Sequence, residues 1–152
     1  MKSSPTRYSF LAAALLAASL ATGCASVNMA DPAQDAARKT FVAPADKAGI
    51  YIYRNESMGA AIKMPVTVNG QMVGQTAANT YLYKEVEPGK VKIESLTEGK
   101  ENKLEVDAKP GTLIYIWQEV KMGMWAAASK LHLVSTEDGQ KGVKETKLIA
   151  PQ

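Results

Sequence analysis

From Gly49 onward, apolar and polar residues alternate with a period of two, in short runs separated by turn residues. Side chains two apart share one face of an extended strand, so this alternation predicts strands and not helices. Strands are predicted over 50–54, 62–68, 71–74, 80–86, 90–96, 103–107, 112–120 and 125–134. The punctuation between them agrees. Asn69-Gly70 suits a type I′ hairpin turn, which needs positive φ at both central residues. Pro88-Gly89 and Pro110-Gly111 each join a residue of preset φ to one that tolerates the left-handed region. Seven or eight short strands at this spacing predict an all-β fold, an antiparallel two-sheet sandwich. The tail breaks the pattern. Ser135-Thr-Glu-Asp138 has capping-box character, with Asp where Glu or Gln is usual. Gly139 and Gly142 weigh against a C-terminal helix, while Val143, Leu148 and Ile149 offer it an apolar side, so both outcomes stay open.

The chain before Gly49 behaves differently. Residues 25–46 are rich in Ala, Asp and Pro without a sustained apolar period, and read as a tether, with a short helix over 33–41 that Pro44 would end. Further back, an unbroken run of small apolar residues over 10–21 comes after the basic Lys2 and Arg7. That is the layout of a secretory signal peptide, and the run is shorter than the roughly 20 residues a membrane span needs. The expected organisation is therefore a signal peptide over 1–23, a tether over 24–46 and a β-sandwich domain over 47–152.

At the end of that signal, Ala21-Thr22-Gly23-Cys24 resembles the bacterial lipobox, departing from it at Ala21, where Leu is usual; Leu20 stands one place earlier. The resemblance implies diacylglycerol on the thiol of Cys24, cleavage before it, and an N-acyl chain on the new amino group. No cofactor is expected beyond these covalent lipids. Ala25 occupies the position where Asp would be the inner-membrane retention signal of enteric-type bacteria. By resemblance the address is the periplasmic face of the outer membrane.

Processing also changes the charge. The chain has 18 basic and 15 acidic residues; Lys2 and Arg7 leave with the signal and no acid does, so the mature chain carries about +1. It has no run of five like charges and no basic patch, which argues against nucleic acid as a partner. With a single cysteine in the chain, the core must form without an internal disulfide.

The order of the strand motifs carries a second resemblance. Gly49-Ile-Tyr-Ile-Tyr-Arg54, Pro65-Val-Thr-Val-Asn-Gly70 with Val73-Gly74, Tyr81 through Pro88-Gly89-Lys90 with Val91 and Ile93, and Gly111-Thr-Leu-Ile-Tyr-Ile116 together look like a bacterial lipoprotein family catalogued as domain of unknown function 2846. The likeness covers roughly 47–134. It implies a mostly β, envelope-anchored domain and transfers no catalytic residue.

The residues themselves point the same way. His132, the only histidine, alternates with Leu131 and Leu133 and is expected on a solvent face. Ser129 and Lys130 adjoin but face opposite ways, so adjacency makes no dyad of them. With Cys24 given to lipid, neither a thiol nucleophile nor a Cys/His metal set is available, and the chain is read as non-catalytic. The sharper expectation concerns aromatics. Tyr51, Tyr53, Tyr81, Tyr83, Tyr115 and Trp117 alternate with aliphatic residues and share one strand face. Exposed, they would form a flat binding surface for an envelope protein. Beside polar groups such as Asn79 and Gln118 they would suit a glycan of peptidoglycan or surface polysaccharide. The plainer and favoured alternative is that both faces are covered, one by the second sheet and one by the tail or tether. Met122-Gly-Met-Trp125 poses a related choice, between an apolar tip that inserts into a partner or lipid and the favoured reading, a plug folded over the open end of the sandwich.

Overall fold

The computed structural model describes residues 26–98 and 102–151. The signal peptide and Cys24 lie outside the described residues. In chain order the elements are α1 (Pro32–Arg38), β1 (Ala48–Arg54), β2 (Met64–Val68), β3 (Gln71–Thr76), β4 (Thr80–Val86), β5 (Gly89–Ser95), β6 (Lys103–Ala108), β7 (Thr112–Met122), β8 (Ala127–Val134), α2 (Thr136–Lys144) and β9 (Lys147–Leu148). They form two sheets, ordered β8-β7-β1-β4-β9 and β3-β2-β5-β6.

The expected sandwich of strands is present, but it is not wholly antiparallel. The smaller sheet is antiparallel throughout. In the larger one β1 pairs in parallel with β7, and β9 in parallel with β4. Parallel neighbours need a long crossover, and here the whole smaller sheet lies in sequence between β1 and β7, interrupted only by β4. Strand limits also differ from the alternation. Pro65 has no N–H to donate, and β2 starts only at Met64. β3 continues past Gly74 to Thr76, and β8 begins at Ala127 rather than at Trp125.

Between the sheets, Ile50, Ile52, Val66, Val91, Ile93 and Ile116 form the aliphatic core. One buried polar chain crosses it. Gln118 accepts from the Thr76 hydroxyl at 2.5 Å and donates to the Ser95 hydroxyl at 2.6 Å. Each polar group there has a partner, which removes most of the cost of burying it.

The tail does form a helix. Ser135 caps α2 by accepting from the Asp138 N–H at 3.1 Å. The two glycines that weighed against the helix are what lets it lie flat on the larger sheet, since a Cβ at Gly139 would collide with Tyr115 and one at Gly142 with the Tyr53 ring.

The segment read as a tether is also part of the body from Asn28 onward. Ala150 N–H donates to the Asn28 carbonyl and Ala30 N–H to the Leu148 carbonyl, each at 2.9 Å. α1 then lies over the same face as α2, capped by Asp31, with Pro32 opening its first turn.

Candidate functional site

The aromatic face is the first place to look. β1 is the middle strand of its sheet, so register brings Tyr51 opposite Tyr83 on one side and Tyr115 on the other, and Tyr53 opposite Tyr81 and Trp117. All six side chains meet, as the alternation predicts. They do not form an open surface. Tyr51, Tyr53, Tyr81 and Tyr115 are buried, and Tyr83 and Trp117 are partly buried. Phe41, Val143 and Leu148 complete this second core. Of the two sequence readings the structure therefore takes the covered one, with the tail and the supposed tether as the cover.

The phenol groups are tied to that cover. Tyr51 donates to the Arg38 carbonyl at 2.7 Å and Tyr81 to the Asp35 carboxylate at 2.9 Å. The Arg38 guanidinium lies 3.9 Å above the Tyr83 ring, a favourable placement of cation on quadrupole. Tyr51 stacks on Tyr115 at 5.2 Å, and Phe41 meets both rings edge-on. Burial pushes the hydroxyls of Tyr51, Tyr53, Tyr81 and Tyr115 above their usual range. They stay protonated, Tyr51 and Tyr81 as donors and Tyr115 accepting from Gln140 Nε2 at 3.4 Å. Neither polar group expected to assist a glycan sits where that reading needs it, because Gln118 is buried between the sheets while Asn79 is exposed on the link into β4.

Trp117 lies at the edge of the face, stacked on His132 at 4.9 Å, and its indole nitrogen is buried without a partner among the described residues. His132 is on the outer face as expected, though only partly exposed, with Nε2 2.8 Å from Glu119. Hydrogen bonds from Lys121 and then from His132 hold the Glu119 carboxyl below its ordinary range. The three form a satisfied surface cluster.

The open apolar surface is elsewhere. β7 and β8 run on past the rest of their sheet, and at their tip Met122, Met124 and Trp125 are 88%, 84% and 88% exposed. The tip is not the plug expected from the sequence. Met58, Gly59 and Ile62 from the loop after β1 join it to line a shallow cavity of about 220 Å³.

Arg54 builds this end. Its side chain is fully buried and donates to the carbonyls of Met58, Gly59 and Ile62 at 2.6–2.9 Å. Those bonds fold the 55–62 loop around the guanidinium. Glu56 in that loop accepts from the Val120 N–H, and Glu98 accepts from Trp125 and Ala126 at 3.4 Å. The tip is thereby braced outward. The alternation singles out the tip residues but not the brace, since nothing in the Ile-Tyr-Arg pattern marks Arg54 as buried.

Comparison with known proteins agrees with the motif order. The family model described as a protein of unknown function (DUF2846) matches residues 44–130, more than half of the chain. An uncharacterised protein of Haemophilus influenzae is 29% identical over 127 residues, covering 83% of this chain and 76% of its own. No solved structure matches.

Proposed function

Since the chain belongs to the DUF2846 family, whose function is unknown, we propose from its own residues that it is a lipid-anchored cell-envelope protein whose domain binds or scaffolds and does not catalyse. The anchor is Cys24, reached through the signal peptide and lipobox, and the site is the periplasmic face of the outer membrane. The observation that carries the binding role is the contrast between two apolar surfaces. The tyrosine row is covered by elements from both ends of the chain, whereas Met122, Met124 and Trp125 stand exposed at a tip whose backbone bonds to Glu98 and which lies beside the loop folded around buried Arg54. Leaving apolar area hydrated forgoes about 25 cal/mol per Å², and a cluster of exposed large apolar side chains is a natural candidate for a contact site.

Two experiments test this reading. The mass of the N-terminal peptide from protein purified out of membranes reads the lipid on Cys24 directly, and Cys24→Ser should leave the membrane fraction. Crosslinking in intact envelopes, with subsequent purification of the native and Cys24→Ser forms, reads the partner. Recovery of an envelope protein only with the anchored form supports the scaffold. Recovery of peptidoglycan fragments instead would favour the glycan reading. Unchanged membrane association of Cys24→Ser would sink the anchor.

A further inference from the structure

We propose that the β7–β8 tip and the loop after β1 form the membrane-facing end of the protein, with Met58, Met122, Met124 and Trp125 seated in the headgroup layer of the bilayer that holds Cys24. This rests on the lipid-anchored reading and adds to it an orientation and a second, non-covalent contact.

Topology assembles this end. β1 runs parallel to β7 and antiparallel to β4, with Arg54 opposite Thr80. The end of β1, the start of β4 and the overrun of β7 and β8 therefore lie at the same end of the sheet. Beyond Trp117, the last β7 residue paired with β1, the strand continues to Met122 with β8. At about 3.3 Å per residue that projects the tip some 16 Å further.

The first described residues lie beside this end, although from Ala30 back to Asn28 the backbone runs along β9 away from Lys147. Ser26 and Val27 line a shallow cleft with Ala77, Asn79, Thr80 and Lys147, on the link that enters β4. Ser26 stands two positions after Cys24 in the sequence, at most about 7 Å of extended chain. Because Asn28 onward is bonded to the body, no long tether intervenes. A lipid at Cys24 draws this end of the domain to the bilayer surface, and the exposed methionines and tryptophan meet the same boundary.

The chemistry suits that boundary. Tryptophan is favoured at the lipid–water interface, where its ring is apolar and its N–H reaches polar groups. Methionine adapts to irregular apolar surroundings. Lys63 is exposed on the loop beside the tip, where anionic headgroups attract cations, while Lys121 there is paired with Glu119. A protein partner or a second copy would satisfy the apolar side chains equally well, but neither accounts for the anchor emerging at the same end.

Fluorescence of Trp125 tests the orientation. The full protein is purified from membranes and reconstituted in vesicles of phosphatidylethanolamine and phosphatidylglycerol carrying brominated acyl chains. The native signal minus that of W125F isolates Trp125 from Trp117. Bromines placed near the headgroups are expected to quench that difference signal at least twofold, and Met122→Ser/Met124→Ser, which alters only exposed side chains, should reduce the quenching. An unquenched Trp125 with the emission of a hydrated indole overturns the proposal. So does a blue-shifted Trp125 in Cys24→Ser protein that dimerises in buffer, which would show a second copy on the tip. The mass of the Cys24 peptide, read on the same sample, separates the two claims. A lipidated Cys24 with unquenched Trp125 sinks the orientation alone, whereas an unmodified Cys24 sinks the anchor and the orientation with it.

Discussion

Asp35 holds three donors at once, from the Lys39 ammonium at 2.8 Å, the Tyr81 hydroxyl at 2.9 Å and the Leu148 N–H at 3.0 Å. Burial pushes its carboxyl up, but those hydrogen bonds and the Lys39 charge outweigh burial and leave it below its ordinary value of 3.8. A carboxyl depressed in the folded state stabilises fully above its unfolded value, and that stabilisation is lost as pH falls through the folded value. Urea unfolding should therefore show native stability dropping below about pH 4, with a shallower drop in Asp35→Asn. At neutral pH the same variant should cost about 1–3 kcal/mol, through weakened charge-assisted bonds and a misplaced donor. Equal acid slopes for the two proteins would assign the titration to another group. Arg54 is a sharper case. Arg54→Ala leaves three carbonyls without their donor and opens a cavity the length of an arginine, so a loss of about 3 kcal/mol or more is expected in thermal unfolding. Because those carbonyls belong to the loop beneath the tip, faster amide exchange over 55–62 should accompany it.

At the scale of elements, α2 puts intrinsic preference and packing in opposition. Alanine is favoured over glycine inside a helix by about 1 kcal/mol. Yet Gly142→Ala should destabilise the protein by roughly 1–3 kcal/mol, because the added methyl enters the Tyr53 ring and forces the helix off the sheet. The exposed Lys141→Ala should be near neutral, and calorimetry of the pair separates steric conflict from helix preference. The same opposition explains what the sequence could reveal. Alternation locates β1, β4, β5 and β7 to within two residues because their side chains do divide between two faces. It carries no strand direction, since parallel and antiparallel neighbours alternate alike, so the β1–β7 and β4–β9 pairings are illegible in it. Glycine in α2 registers as entropic cost, when its meaning lies in rings distant along the chain. α1 buries no residue completely; it docks through Asp35, Lys39 and a backbone carbonyl, none of which leaves an apolar period. That is why residues 28–46 read as a tether. Tyrosines alternating with isoleucines give the right membership of the aromatic set but not its cover, which depends on elements from both ends of the chain.

For the molecule as a whole, the larger sheet separates an aliphatic core from an aromatic one, and the segment that completes the second is the one leading from Cys24. From Asn28 the chain is a bonded edge and not a flexible spacer, so the anchor proposed at Cys24 would be joined closely to the fold. Orientation on a membrane should then depend on the length of chain between Cys24 and Asn28. Inserting a Gly/Ser segment of about 20 residues after Ala25 would give the domain a reach of about 25 Å on random-coil scaling, while leaving the bonds from Asn28 onward intact. The extended form should keep its unfolding midpoint and its membrane fractionation, since neither the packed residues nor Cys24 changes. The quantity that should fall is the share of molecules with Trp125 in contact with lipid, because a long spacer lowers the effective concentration of the tip at the surface. Bromolipid quenching measured on native and extended proteins side by side provides the check. Strong quenching in both would mean that the tip binds the bilayer by its own affinity, and equally weak quenching in both would mean that the short connection does not direct it there.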